Sequence, residues 1–435
     1  MTYHRQAWSL LLALILGFSA APAFARGHHG GKRLIISVDS RLSDQDKADL
    51  AKMLGLDSVE DLANIDLIIV EIPDNRYAAA KAKLIGYNHI QSVEDDFYVN
   101  WLKMDGPQTF SQTPLPDFGG VMGGLPKFSS SAKTPRTVPA PAAPQPSAPD
   151  PSLIQGEVPW GIARVKAPDL WDKNNPATMG AGVNVAVIDT GIDCSHPDLS
   201  CNLSEGVNFV DPTVAPMDDQ GHGTHVSGTI AARWDGHGVV GVAPLAHVIP
   251  VKVLDSTGGG SVSNIVRGIN WAASQGVDVI NMSLGSPQTS PSLEKAVNNA
   301  LRKGVTIVAA SGNEGPDNAP SYPGAYPGVI AVGASDKNDQ LASFSSQGDY
   351  VSFIAPGVDV ISTAPGGKYA QHSGTSMASP HVAGLAAIAV AMGARGPQAV
   401  AQALSNAASR LCSASTCLPA AAEGVGLPEA TKIRP

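Results

Sequence analysis

Charge is scarce in this chain: only 15% of its 435 residues are charged, and acids outnumber bases 38 to 29. The net charge of −9 leaves no basic footprint for nucleic acid. Long hydrophobic runs are lacking too. The apolar stretch from Trp8 to Phe18 is too short to span a bilayer and no later one approaches that length, so no spanning segment is expected. Cysteine is limited to Cys194, Cys201, Cys412 and Cys417. They form two sequence-close pairs without the histidine spacing of a zinc site, and local bridges 194–201 and 412–417 are the simplest of three connectivities. What the chain has in quantity is Gly (45) and Pro (34), in a length exceeding one average domain. That composition suits a loop-rich globular protein more than a charged binding module.

Residues 1–25 have a basic approach at His4 and Arg5, the short apolar run, and Ala-Phe-Ala at 23–25. They are expected to be an export signal, so the protein should be secreted, extracellular or periplasmic, with no membrane attachment after signal removal. The four cysteines suit that oxidising setting. From Lys32 to Trp101, strand-like LIISV, LIIVEI (67–72) and SVEDDFYV (92–99) alternate with helical runs at 44–54 and 76–87. This predicts a small α+β ferredoxin-like domain over 26–102. Residues 103–155 are rich in Pro, Ser and Gly without apolar periodicity and read as an extended linker.

From Val183 the apolar, β-branched runs 183–189, 247–254, 277–284 and 305–311 alternate with helical stretches 222–233, 262–274 and 293–303. Continuous apolar strands are buried on both faces. The expected fold class is therefore α/β, a doubly wound, mostly parallel sheet with helices on both faces and its site at the carboxyl ends of the strands. This domain is expected over 156–409, with 410–435 a C-terminal tail carrying the second cysteine pair.

Three chemistry-bearing residues fall where that rule places a site. Asp189 ends the first apolar run, His222 opens the next helix between glycines, and Ser376 precedes the helix of Val382–Val390. Pro380 is tolerated only near a helix start, which places Ser376 by the unpaired N–H groups of a helix N-terminus. A carboxylate, an imidazole and a hydroxyl on one edge form an acid–base–nucleophile set, with the hydroxyl a poor nucleophile until a base takes its proton.

AVIDTGID (186–193), GHGTHVSGT (221–229), SGNEG (311–315) and GTSMASPH (374–381) resemble the four signature blocks of the subtilisin-like serine proteases, the subtilases. VPWGIARVKAP (158–168) resembles the start of mature subtilisins, and the likeness runs from Val158 to about Ser409. The resemblance implies that Ser376 attacks the scissile carbonyl, His222 relays its proton, and Asp189 holds the imidazole. It also implies that Asn313 and the Ser376 N–H receive the oxyanion. It leaves His225 outside the triad, as a structural residue.

The same resemblance implies that Gly258, Gly259 and Gly260 and the segment Ser283, Leu284, Gly285 clamp an extended polypeptide substrate. The primary pocket would be walled by Ser283–Gly285 and by Ala310–Gly312, with Ser321 near its base, and is expected to prefer apolar or aromatic side chains. A structural calcium is implied at Asp198 and Asp235, with Gln155 one residue out of register as a further ligand, and a weaker site at Asp336. Residues 26–102 resemble the subtilase inhibitor-type propeptide. The chain is thus expected to be a monomeric, self-inhibited serine endopeptidase precursor, cut somewhere within 101–157. A silent peptide-binding protein of the same fold is the alternative. A serine esterase would carry GxSxG instead of GTSMAS.

Overall fold

The computed structural model describes residues 31–39, 42–102, 158–316, 319–413 and 416–434. The expected signal, the linker and Gln155 lie outside them.

The N-terminal unit runs β1 (Gly31–Val38), α1 (Asp44–Leu54), β2 (Glu60–Leu62), β3 (Leu67–Pro73), α2 (Tyr77–Leu84) and β4 (Ile90–Asp95), followed by β5 (Tyr98–Asn100). Its sheet order, β2-β3-β1-β4 with antiparallel pairings, is ferredoxin-like. Helix α1 starts on a capping box, Ser43 and Asp46 satisfying each other's backbone N–H, and stops at left-handed Gly55. Leu34 and Ile36 of β1 face Leu50 and Leu54 of α1 and Leu84 of α2 in one apolar layer. The run 92–99, expected as one strand, is two: pairing breaks off at Asp96 and Phe97, and β5 pairs with the second unit.

That second unit starts with α3 (Trp160–Arg164) and β6 (Asn184–Asp189), then β7 (Val207–Asn208), α4 (His222–Ala231), β8 (His247–Lys252), β9 (Gly259–Ser261) and α5 (Val262–Gln275). There follow β10 (Val279–Met282), α6 (Pro291–Arg302), β11 (Thr306–Ala310), β12 (Ile330–Ser335), β13 (Val351–Pro356) and the hairpin β14 (Val360–Ala364)–β15 (Lys368–His372). Helices α7 (Thr375–Ala391) and α8 (Gly396–Ala407) lead into the C-terminal strands and turns. The sheet is seven-stranded and parallel, ordered β13-β12-β11-β10-β6-β8-β7. Strand β6 lies at the switch, with β8 on one side and β10 on the other, so its carboxyl end opens the crevice where such sheets bind ligands.

Alternation along β6 shows the two-sided burial. Val185 and Val187 pack with Val226 of α4 and Leu385 of α7, while Ala186 and Ile188 pack with Ile265 of α5 and Leu293 of α6. Helix α7 is buried along its length from Thr375 to Val390, which explains its apolar, small-residue composition. Pro380 lies deeper in α7 than expected, six residues into the helix. It has no N–H for the carbonyl of Ser376, and the Ser283 hydroxyl donates to that oxygen instead, at 2.8 Å.

Cys194 and Cys201 form the expected disulfide. Strands Cys412–Ser413 and Thr416–Cys417 pair antiparallel with Cys412 opposite Cys417 in the ladder. Among the described residues no single helix is long and apolar enough to cross a membrane.

Candidate active site

Asp189 terminates β6 because the apolar run that buries the strand ends there, at Thr190-Gly191. Its side chain is fully buried, as is that of His222, and the His222 Nδ1–H donates to its two oxygens at 2.8 and 3.0 Å. The Thr190 amide adds a 2.7 Å bond to Asp189 Oδ1. These bonds fix the imidazole tautomer, with the proton on Nδ1 and Nε2 left as the acceptor nitrogen. That Nε2 is buried and has no hydrogen-bond partner among the described residues.

Ser376 is the second residue of α7, which packs against α4, so the hydroxyl and the imidazole both ride on first turns of neighbouring helices. Ser376 Oγ donates to the Ser283 carbonyl at 3.0 Å and not to His222. Thr375, one residue before, orients Asn313: the Asn313 Oδ1 accepts both the Thr375 N–H (2.9 Å) and hydroxyl (2.8 Å). This assigns the amide, so that the other end, Nδ2, is the donor, and Asn313 and Ser376 line the same pocket.

The two expected peptide-clamping segments already hold a peptide, the chain's own. Strand β5 pairs antiparallel with β9, Val99 opposite Gly260 and Asn100 opposite Gly259. The Trp101 N–H then donates to Gly258 O at 3.0 Å, and Gly285 N–H donates to Trp101 O at 3.2 Å. Gly258 has φ +75°, and a Cβ there would lie 2.9 Å from Leu102, so only glycine admits this close strand. Trp101 is buried and its indole N–H donates to Gly260 O at 2.9 Å.

Leu284, Gly285, Ala310, Gly312 and Ser321 line the neighbouring pocket, whereas Ser283, also expected there, is not on its lining. A Cβ on Gly285 would come within 2.2 Å of Ser321 Oγ, and one on Gly312 within 2.8 Å of Ser321 Cβ. Ser321 therefore fills the space between the two glycine walls.

His225 lies behind the site, fully buried, its Nε2–H donating to the Val360 and Ala370 carbonyls at 3.1 Å each. Burial holds its pKa well below the ordinary histidine value, with the charges of His372 and His222 adding to the shift. Its Nε2 is thus engaged by the β14–β15 hairpin and not by Asp189 or Ser376.

Several polar residues around the site were not singled out from the sequence: Thr190, Asp218, Lys252, Asn281, Thr375 and Ser379. Lys252 stands opposite Asp189 in the β6–β8 register and donates to the Thr190 carbonyl (2.6 Å), the Leu254 carbonyl (2.9 Å) and Asp219 (2.7 Å). Ser379 donates to Asn281 (2.8 Å), whose amide donates to Ser283 (3.0 Å), locking β10 to α7 beneath Ser376. The available signals were short: Thr190 directly follows Asp189, and Asp218 stands just ahead of the helix that His222 opens.

Among the described residues no group of three or more His, Cys, Asp or Glu side chains is placed to hold a metal. Asp198 is buried, its Oδ2 accepting the Val239 N–H and the Tyr369 hydroxyl at 2.9 Å each. Burial pushes its carboxyl up, and the nearby Asp235 charge adds to the rise. Calcium takes oxygen ligands, and of the two acids expected to supply them Asp198 is buried while Asp235 is exposed, 3.7 Å from His237 Nδ1. Asp336 instead closes a turn, its Oδ1 accepting the Asn338 and Gln340 amides at 2.8 Å each.

The subtilase family profile matches residues 180–426, which include the Asp189, His222 and Ser376 elements. This chain belongs to the subtilase family. Among relatives, M-protease of Shouchella clausii (strain KSM-K16) is 53% identical over 231 residues, 53% of this chain and 59% of the relative. Subtilisin Savinase of Lederbergia lenta is 53% identical over 231 residues, 53% of this chain and 83% of its own length. Subtilisin E of Bacillus subtilis (strain 168) is 52% identical over 235 residues, 53% of this chain and 60% of its length. This subtilase thus spans about six tenths of the M-protease and subtilisin E chains it matches. Its doubly wound α/β fold is the one expected from the sequence.

Proposed function

We propose that this subtilase is a serine endopeptidase made as a self-inhibited, self-processing precursor. The observation that carries the reading is the buried Asp189–His222 pair with its bare Nε2, on a helix packed against the one bearing Ser376. Ser376 Oγ turns from the Ser283 carbonyl toward Nε2, gives up its proton there and attacks the scissile carbonyl. Asn313 Nδ2 and the Ser376 N–H donate to the oxyanion, the His222 imidazolium then protonates the leaving amine, and water releases the acyl group by the same relay. Asp189 holds the imidazole in place through both steps.

Substrates are polypeptides, held extended between Gly258–Gly260 and Ser283–Gly285, with an apolar or aromatic side chain in the pocket beside Ser321. Residues 26–102 act as propeptide and intramolecular inhibitor, a reading supported by β5 and Trp101 lying in that clamp. Maturation cuts within 101–157 and leaves a catalytic domain of 156–409 with the tail 410–435, its Cys412–Cys417 pair bridged. The enzyme is exported by the 1–25 signal and is monomeric. Asp198 and Asp235 would hold a structural calcium, which stabilises the loop 233–239 and takes no part in the chemistry. The turn bonds of Asp336 argue against a second site there.

A silent peptide-binding protein of the same fold is the competing reading, favoured by the Ser376 bond to Ser283. Expression of wild type and Ser376→Ala with calcium separates them, with precursor size and N-terminal sequence followed over time. Wild type shortens to a stable product that cleaves peptides, and Ser376→Ala stays full length. Equal shortening of both, with no cleavage of added peptides, would overturn the endopeptidase reading.

A further inference from the structure

Asp218 is a buried acid outside the Asp189–His222–Ser376 set, and one carboxylate there gathers five donors. Its Oδ1 accepts the Thr190 hydroxyl (2.9 Å), the Gln220 N–H (3.0 Å) and the Gly221 N–H (2.8 Å). Its Oδ2 accepts the Thr224 N–H (2.9 Å) and hydroxyl (2.6 Å). These donors come from two elements. Thr190 follows Asp189 at the end of β6, while Gly221 and Thr224 flank His222 at the start of α4.

Two further bonds complete the knot. The Gly223 N–H donates back to Thr190 Oγ1 at 2.9 Å, and the Asp193 N–H donates to Thr224 Oγ1 at 3.0 Å. The helix needs such a partner, because its N-cap residue is Gly221, which has no side chain to accept from the first-turn amides. An acid at that end is also favoured by the macrodipole.

We propose that Asp218, acting through the Thr190 hydroxyl, is the positioning residue of the Asp189–His222 pair. It touches neither the imidazole nor the substrate space. It ties the strand end that delivers the carboxylate to the helix turn that delivers the imidazole, and so fixes the distance between them. Apolar packing alone would leave α4 free to slide against β6 by a fraction of its rise. A displacement of about 1 Å at a catalytic group can cost about a hundredfold in rate.

This inference rests on the endopeptidase reading for its kinetic test but not for its spectroscopic one. In the full-length Ser376→Ala chain, the low-field proton NMR resonance of His222 Nδ1–H reports its bond to Asp189 without any turnover. Asp218→Ala and Thr190→Val, which replaces the hydroxyl by a methyl, shift or broaden that resonance, and Thr190→Ser restores it. In the active protein the same two variants lower kcat by about a hundredfold with KM within about twofold, and Thr190→Ser recovers most of the loss. An unchanged His222 resonance in folded Thr190→Val overturns the proposal, as does a wild-type kcat in that variant. A wild type that cleaves no peptide, with the resonance still lost in Thr190→Val, overturns the peptidase reading and leaves the positioning role standing.

Discussion

Removal of the Asp96 carboxylate tests how the N-terminal unit is held on the sheet domain. The side chain is fully buried at the start of α5, where Oδ1 accepts the Ser263 N–H at 2.8 Å and Oδ2 accepts the Ser263 hydroxyl at 2.7 Å. The Arg33 guanidinium completes the site, 2.9 Å from Oδ2, and reaches Ser261 Oγ at 3.0 Å. In Asp96→Ala the helix loses an acid at its first turn, about 1 kcal/mol, and Arg33 loses a charge-assisted partner, about 1.5–3 kcal/mol when buried. Arg33 is 30% exposed, so water recovers part of the second loss. The sum is about 2–4 kcal/mol, which raises the opening of the interface about 30- to 700-fold.

Hydrogen exchange on full-length Ser376→Ala reads this directly. The amides of Trp101, Val262 and Gly285, each bonded across the interface, should exchange faster by that factor. Asp44→Ala serves as the control, because that side chain is fully exposed on α1 and its loss should leave the same amides unchanged. An acceleration below about threefold in Asp96→Ala would refute the reasoning, since about 0.6 kcal/mol is what an exposed pair supplies.

Three shorter predictions follow from the same geometry. Asn313→Ala should lower kcat with KM little changed, by the hundred- to thousandfold associated with this family's asparagine donor; equal loss in kcat and in a ground-state inhibitor's affinity would exclude an oxyanion role. Burial lowers His381 from 6.5 to about 4, so the native state stays neutral where the unfolded chain protonates. Its stabilisation is therefore full above pH 6.5 and is lost as pH falls from 6.5 towards 4, up to about 3 kcal/mol. Urea titrations of Ser376→Ala should show that loss, and His381→Gln, which keeps a donor for the Met377 carbonyl, should flatten the slope; parallel slopes would contradict it. Gly161→Ala would set a Cβ 2.4 Å from His381 Nε2 and 3.0 Å from Pro356 Cβ. Overpacking of this kind costs about 1–3 kcal/mol, and the melting temperature should fall roughly 2–4 °C for each; an unchanged melt would show that α3 shifts without cost.

The sequence by itself determined the sheet and the identity of the candidate acid, base and nucleophile. A parallel strand buried on both faces must read as an unbroken apolar run, so β6 was visible at Val183–Asp189 and Asp189 was placed at its carboxyl end. The helices of His222 and Ser376 were visible for the same reason, in their glycines and small residues. Pro380 was legible as a helix residue but not in its depth, because the bond that excuses it comes from Ser283, far away in sequence.

Only the tertiary structure decided how those groups are held. Thr190, Asp218 and Lys252 are single polar residues in segments whose pattern reports burial, and nothing in their spacing says which donor meets which acceptor. Strand β5 is a further case. SVEDDFYV has one strand-like composition, and whether it stays in its own sheet depends on an edge offered by Gly259–Ser261, over 150 residues away in sequence. The place of Ser321 between Gly285 and Gly312 is likewise set by contacts between segments distant in sequence. Local patterns record the environment each residue needs, whereas partners brought together by folding leave no local trace.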